Sequence, residues 1–471
     1  VRFAPRGAPE SPRAAPLAQP LPPAPPPDGL FGRLAAVARS RGAYISGKLR
    51  REAPPVLSVP GLLASQPLAP LEQALCIPRA LQVSYAFVRE SAPELVAAIR
   101  RLCKEKEFPI QCPEVVAFVA QQLHRVELLG CDASEGGAWH DATWLDLYLG
   151  TLLGSDFAYM PHRRIIESEE ARSILAPSSE VHNADWMHAA FREAHTALVE
   201  AVPPEVLGPR LELCRFVQAY LLLLTRAFGG AATGSDASPH VLVPIADMLN
   251  HSAEPNATWG FRDNGDFVVK ASRQIQSGEE LLISYGSKKS NAQLFRTYGF
   301  TVPAEAEPCC SFRAWPSEAP EVYRRFLPAR VRSKVLDLET GGVDSSTCNL
   351  LQACRSHGTD PAAFLRELCR HSRLRYEGDQ ALQPALACLQ CRRAVEPGSH
   401  SWWLGQIGCC SEACCWSEDA VRVKMSEYVC LVAHLEALDV LAGAASPADC
   451  LDLAGGLAAP LREALEAAGA A

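Results

Sequence analysis

The chain has 471 residues, 48% of them hydrophobic and 21% charged, which is ordinary globular composition and enough for two or three domains. A formal net charge of −8 argues against a generic nucleic-acid binder, because phosphate neutralisation needs a basic surface. No apolar run approaches the roughly eighteen residues of a membrane span; the stretch Ala219–Ala227 is short and broken by Arg226. A soluble protein is expected.

Residues 1–30 are dominated by Pro and Ala (LAQPLPPAPPPDG) and lack hydrophobic periodicity, so a disordered segment is expected, extended here to residue 50. The first 50 residues carry more Arg than acid, as organelle transit peptides do, but are poor in Ser and heavy in Pro. Pro55 to Ser84 holds short apolar runs punctuated by Pro and Gly: Val56–Val59, Gly61–Ala64 and Ala74–Ile77. These read as small strands. Ser91 to about Phe228 turns helical in pattern, with helices expected over Pro93–Lys104, Glu114–Leu129, Trp144–Leu153, Trp186–Val202 and Leu211–Phe228. Gly229–Ser238 is a Gly/Ala/Ser-rich loop.

Val241–Phe300 is the densest stretch. Val241–Ile245 is an apolar run consistent with a buried strand, and the turn after it carries Asp247-Met-Leu-Asn250-His251-Ser. Asn264-Gly265-Asp266 signals a tight turn, so Trp259–Ser272 reads as a hairpin. Ile275-Gln-Ser-Gly-Glu-Glu-Leu-Leu-Ile-Ser-Tyr285-Gly286 is a turn followed by a β-rich run over Leu281–Tyr285. Asn291–Tyr298 reads as a short helix with Leu294 and Tyr298 on one face, before Gly299-Phe300. Beyond residue 300, helices are expected over Pro320–Leu338, Ser346–Arg355, Pro361–Arg370 and Val421–Leu441.

The pieces D-x-x-N-H-S, I-x-x-G-E-E-L-x-I-x-Y-G and S-N-x-x-L-x-x-x-Y-G-F, in that order, resemble the carboxyl-terminal half of a SET domain. They are most similar to the branch typified by the Rubisco large-subunit methyltransferase. The resemblance implies an α+β fold: a β-rich, pseudoknotted SET domain over residues 51–300, with a helical insertion at about 91–235. A mainly helical, substrate-holding domain would follow over 301–471. The pseudoknot would be one of the few exceptions to unthreaded chain topology.

The same resemblance implies an S-adenosylmethionine-dependent protein-lysine N-methyltransferase acting on a histone or non-histone protein, with no nucleic acid or membrane as partner. Tyr285 matches the hydroxyl of the methyl-transfer site. Asn250 and His251 match the pair that holds the cofactor, with Asp247 as a brace for their turn. Gly61, Leu62 and Leu63 match the segment whose backbone lies against the cofactor, where Gly suits close approach. The family carries a basic residue before that Gly; this chain has Pro60. Arg226 matches a cofactor-proximal Arg, although an Arg closing an apolar helix is also what the helix dipole favours. Phe300 matches an aromatic near the adenine and Tyr298 one lining the substrate channel, and both also suit an ordinary core.

Methyl transfer to an amine needs a neutral nucleophile, a desolvated channel and in-line alignment. A lysine, near pKa 10.4 when free, has to be neutralised by burial and nearby positive charge. Oxygens that orient the amine and touch the polarised methyl assist. Histidine methylation needs no large pKa shift and stays open as an alternative. So does a catalytically weak SET scaffold that recruits partners. No P-loop, dinucleotide fingerprint or nucleophile elbow occurs.

Eighteen cysteines in a chain of this size read mainly as free thiols in a reducing compartment. The exception is Cys388-x-x-Cys391 with Cys409-Cys410 and Cys414-Cys415 between residues 388 and 415, which has metal-ligand spacing. One structural zinc on Cys388, Cys391, Cys410 and Cys414 is one reading; free cysteines are the other. The Cys-Ser-x-x-Cys piece is similar to part of a MYND zinc module, but Arg422 stands where that module carries a ligand His. An intracellular location is expected, with cytoplasm or nucleus favoured over an organelle.

Overall fold

A computed structural model describes residues 29–52, 60–105, 108–131, 142–153, 160–208, 211–229, 240–303, 306–383, 386, 415–445 and 452–470. The chain forms two compact units: one takes the described residues of Leu17–Ala158 with Met187–Tyr285, the other those of Tyr159–Trp186 with Gly286–Ala471. The boundary at Tyr285/Gly286 precedes the one expected at 300, and residues 160–186 leave the insertion for the second unit.

In the first unit, Gly29–Ser40 is a helix that seats Leu30, Leu34, Ala35 and Ala38 in the core. This corrects the expectation of disorder to residue 50. The compositional bias of the Pro-rich stretch stops at residue 28, and apolar residues at i, i+4 and i+8 then define a buried face. Residues 1–28 lie outside the described residues. A four-stranded antiparallel sheet follows the order Tyr44–Ile45, Gln73–Ile77, Phe267–Ala271, Ala257–Phe261. The hairpin pairs Phe261 with Phe267 and Trp259 with Val269. Gly265 sits at φ 86° in its turn, and Asn264 Nδ2 donates to Asp266 Oδ2 at 2.8 Å.

Helices Pro93–Glu105, Pro113–Cys131, Trp144–Leu153, Glu180–Ala201 and Leu213–Arg226 occupy the stretch expected to be helical. Trp144–Leu153 is buried on every face, and a reciprocal cap starts it: Thr143 N donates to Asp146 Oδ2 at 2.9 Å and Asp146 N to Thr143 Oγ1 at 3.2 Å. Leu213–Arg226 ends two residues earlier than expected. Ala227 turns to extended dihedrals, and Ala227–Phe228 pairs with Val241–Leu242. The expected strand Val241–Ile245 is likewise cut short. Pro244 has no amide to donate to a ladder, and Ile245 takes φ 73°, turning the chain into a 3-10 turn at Ala246–Met248. The expected strand Val56–Val59 and most of the Gly229–Ser238 loop lie outside the described residues.

In the second unit, the 27-residue helix Cys415–Leu441 packs against Pro361–Glu377, Asp452–Ala470 and the short helix Asn291–Tyr298. Its core includes Phe312, Tyr323, Phe364, Leu368 and Val429. The unit is mainly helical, but the expected helix Pro320–Leu338 stops at Phe326. Pro328 disfavours helical dihedrals at Leu327, which sits at φ −113°, ψ 142°. Leu336–Glu339 instead pairs antiparallel with Ser311–Ala314.

Candidate active site

Gly61–Ala64 is buried throughout and is held from two sides. Leu49–Glu52 pairs with it antiparallel. The chain at 278–281 grips it as well: Gly278 N donates to Ala64 O at 2.7 Å, Ala64 N to Glu279 O at 2.9 Å and Leu281 N to Leu62 O at 2.8 Å. This pairing carries Glu280 up to Gly61. A Cβ at residue 61 would lie 1.9 Å from Glu280 Oε1 and 2.8 Å from Asn250 Nδ2. Glycine therefore leaves the space that the Glu280 carboxylate occupies, and any side chain here would displace it. Asn250 Nδ2 donates to the same Oε1 at 2.7 Å. Burial raises the Glu280 pKa, and the Asn250 hydrogen bond acts in the opposite sense.

Asn250 and His251 form a parallel pair with Leu282 and Ile283. That ladder joins the N-H and Y-G motifs. His251 Nδ1 accepts from Tyr285 N at 3.1 Å, and the two rings lie 5.3 Å apart at 38°. The Tyr285 hydroxyl donates to Leu249 O at 2.7 Å, so its oxygen lone pairs face away from that carbonyl. Buried Asn256 locks the segment between Glu279 and Leu282. Its Nδ2 donates to Glu280 O at 2.8 Å and its Oδ1 accepts from Leu282 N at 2.8 Å.

Arg226 closes its helix and turns inward. Its Nη1 donates to Asp247 O at 2.9 Å and lies 3.8 Å from Asp247 Oδ2. Asp247 is buried, which raises its pKa; Arg226 and the Tyr148 hydroxyl hold it down. Gly61, Leu62, Asn250, His251 and Tyr285 are thus linked through Glu280, the 278–282 segment and the parallel pair, and Arg226 joins them through the turn at Asp247.

Tyr298 and Phe300 belong to the other unit. Ser290 and Gln293 form a capping box at the start of Asn291–Tyr298, and Gly299 ends it in the left-handed conformation at φ 82°. The Tyr298 and Phe300 rings are 6.0 Å apart at 32°, and Lys289 Nζ stands 5.9 Å from the Tyr298 centroid. Burial pushes the Tyr298 phenol up to about 12. Asn291 pins the chain beyond Phe300: its Oδ1 accepts from Val302 N at 2.7 Å and its Nδ2 donates to Glu307 Oε2 at 3.1 Å.

Cys388, Cys391, Cys410 and Cys414 lie outside the described residues. Among the described residues no group of three or more His, Cys, Asp or Glu could hold a metal ion, and no helix is long and apolar enough to cross a membrane.

Residues 118–286 match the model of the SET domain family. The chain carries a SET domain. Its fold is that of the Rubisco large-subunit methyltransferase. A solved structure described as the SET domain of LSMT bound to MeLysine and AdoHcy superposes with a TM-score of 0.59 at 18% identity, covering 87% of this chain and 91% of that one.

In sequence, the SET-domain chain is 36% identical over 67 residues to SET domain-containing protein 8 of Schizosaccharomyces pombe, covering 14% of this chain and 15% of that protein. It is 33% identical over 104 residues to the chloroplastic ribulose-1,5 bisphosphate carboxylase/oxygenase large subunit N-methyltransferase of Pisum sativum, covering 19% and 20%. These sequence matches span only 15% and 20% of the relatives' own lengths.

Glu280 and Asn256 were not singled out as site residues by the sequence. The Gly-Glu-Glu signal marks a turn but does not say which carboxylate turns inward, and Asn256 sits in a polar loop that carries no pattern. Asp247, expected as a brace for its turn, meets the Tyr148 hydroxyl through its carboxylate and Arg226 through its carbonyl.

Proposed function

We propose that this SET-domain protein is an S-adenosylmethionine-dependent protein-lysine N-methyltransferase. The observation that carries the reading is the linkage of Asn250, His251 and Tyr285 by one parallel strand pair, with Tyr285 Oη fixed on Leu249 O. The chemistry of the donor set fits the cofactor. The Arg226 guanidinium suits an amino-acid carboxylate, while Glu280 and the amide of Asn250 suit an ammonium group and hydroxyls. Bound S-adenosylmethionine supplies the electrophilic methyl group.

Gly61, Leu62 and Leu63, Arg226, Asn250 and His251 bind the cofactor in this reading. Phe300 as an adenine contact and Tyr298 as a channel residue enter from the family resemblance. Tyr285 is the catalytic residue. Because its proton is committed to Leu249 O, its oxygen is an acceptor toward the incoming amine and toward the methyl C–H groups. That orients the lysine nitrogen without requiring a strong base at the transfer step. Lysine is favoured over histidine because relatives include proteins named N-lysine methyltransferase setd6 from Salmo salar and Xenopus laevis. The substrate is then a protein, histone or non-histone.

A radiolabelled-methyl screen against cell extract tests the reading, with Tyr285→Phe as control. Label on protein lysine with wild type, lost with Tyr285→Phe, supports it. Label on histidine alone, or none from a folded wild type, overturns it.

A further inference from the structure

Resting on the reading above, we infer that Tyr148, in the helical insertion, is a positioning residue that holds Asp247, and through it Arg226 and the 247–251 turn, in the form that receives the cofactor. Tyr148 lies on a helix buried on every face and is itself fully buried. Its hydroxyl donates to Asp247 Oδ2 at 2.8 Å, across 99 residues of sequence. The guanidinium of Arg226 lies 3.8 Å from that same oxygen and also donates to the Asp247 backbone carbonyl. The second carboxylate oxygen, Asp247 Oδ1, is buried with no hydrogen-bond partner among the described residues.

The carboxylate is kept ionised in a buried place chiefly by the Arg226 cation and the Tyr148 hydroxyl, with smaller help from its own backbone amide and from Arg51. The turn it anchors is short and strained at its entry, with Ile245 at φ 73°, and it leads within four residues to His251. Leu249 O, which receives the Tyr285 hydroxyl, lies on the same turn. The charged or titratable groups facing Asp247 are Tyr148 on its helix, Arg226 at the end of Leu213–Arg226 and, more weakly, Arg51 on the strand Leu49–Glu52.

Tyr148→Phe removes one oxygen and nothing else. Without that donor the carboxylate protonates more readily, so Arg226 loses its anionic anchor at a higher pH than in the wild type. The sign is fixed: the defect grows as pH falls and fades where Asp247 is fully ionised.

The test is S-adenosylmethionine affinity by calorimetry across pH for wild type, Tyr148→Phe and Leu149→Ala, each with a melting curve. Leu149→Ala opens a cavity on the same buried helix and removes no polar atom. The expected result is an acidic limb shifted to higher pH in Tyr148→Phe only, with affinity about tenfold weaker on that limb and near wild type at alkaline pH. A Tyr148→Phe profile that coincides with wild type, or a shift that Leu149→Ala reproduces, overturns the inference while leaving the methyltransferase reading standing. A folded wild type that binds no S-adenosylmethionine overturns both.

Discussion

The direction of the Tyr285 hydroxyl is set by a backbone oxygen, Leu249 O at 2.7 Å, and its backbone amide by the ring nitrogen of His251. Removing that oxygen should leave the cofactor side of the site in place. Tyr285→Phe is expected to lose methyl transfer by roughly 10²-fold or more with S-adenosylmethionine affinity nearly unchanged, measured by single-turnover kinetics beside calorimetry. Equal loss of both would place Tyr285 in binding instead. Gly61 makes the opposite kind of demand. In Gly61→Ala the new methyl meets a carboxylate and an amide at once, so Glu280 and Asn250 have to separate. Cofactor affinity and melting temperature should both fall, whereas Pro60→Ala, at an exposed position, should change neither. Asn250, His251 and Tyr285 stand in motifs the sequence shows in order, and the strand pair 250–251 with 282–283 brings those motifs together. The requirement for Gly61 was legible only as close approach of something; that the approaching group is Glu280 depends on the pairing of 61–64 with 278–281, which no local pattern announces.

At the level of elements, short-range signals were read well wherever the chain supplies its own stop. The helix expected over Asn291–Tyr298 from the spacing of Leu294 and Tyr298 has those bounds, and the structure shows Ser290 with Gln293 capping one end and Gly299 the other. Ser290→Ala, which removes the side chain that receives Gln293 N, should destabilise the second unit by about 1 kcal/mol in a thermal melt with circular dichroism. No change in that melt would mean that tertiary packing alone holds the helix. Pro320–Leu338 was misread as one helix because the apolar spacing continues past Pro328, and the partner strand Ser311–Ala314 that captures Leu336–Glu339 is distant in sequence. The helix Gly29–Ser40 was missed for a related reason: a strongly biased neighbour masked four core residues. Strands of two residues, such as Asn250–His251 with Leu282–Ile283, exist only through pairing, and sequence carries no period for them.

For the whole molecule, two buried carboxylates with no cation in hydrogen-bond contact among the described residues lower stability as pH rises towards 7. Glu307 and Glu427 are fully buried and meet neutral donors: Ser426 and Asn291 for the first, Ser179 and Tyr376 for the second. Burial pushes each up to about 7 from an ordinary 4.5, and the Glu180 charge adds to this at Glu427. A raised carboxyl pKa stabilises the fold below the unfolded value and loses that contribution as pH rises to the folded value. Each should take away about 3 kcal/mol between about pH 4.5 and 7, while buried His434, held down to about 4, works in the opposite sense. The carboxylate contribution is therefore read in urea unfolding as the difference between wild type and a variant of one carboxylate. Glu427→Gln, whose one carbonyl oxygen can still accept from Ser179 while its amide nitrogen faces the Tyr376 oxygen, should fall less steeply. A slope unchanged in that variant would mean that Glu427 is not the group responsible.

The proposed methyl transfer begins with cofactor binding. The most direct measurement is S-adenosylmethionine binding by calorimetry with wild type and Asn250→Ala side by side, both shown folded by their melts. Saturable binding by wild type, lost in Asn250→Ala, is the predicted result. No binding by wild type, or equal binding by the variant, would contradict the account and leave a SET-fold scaffold in its place.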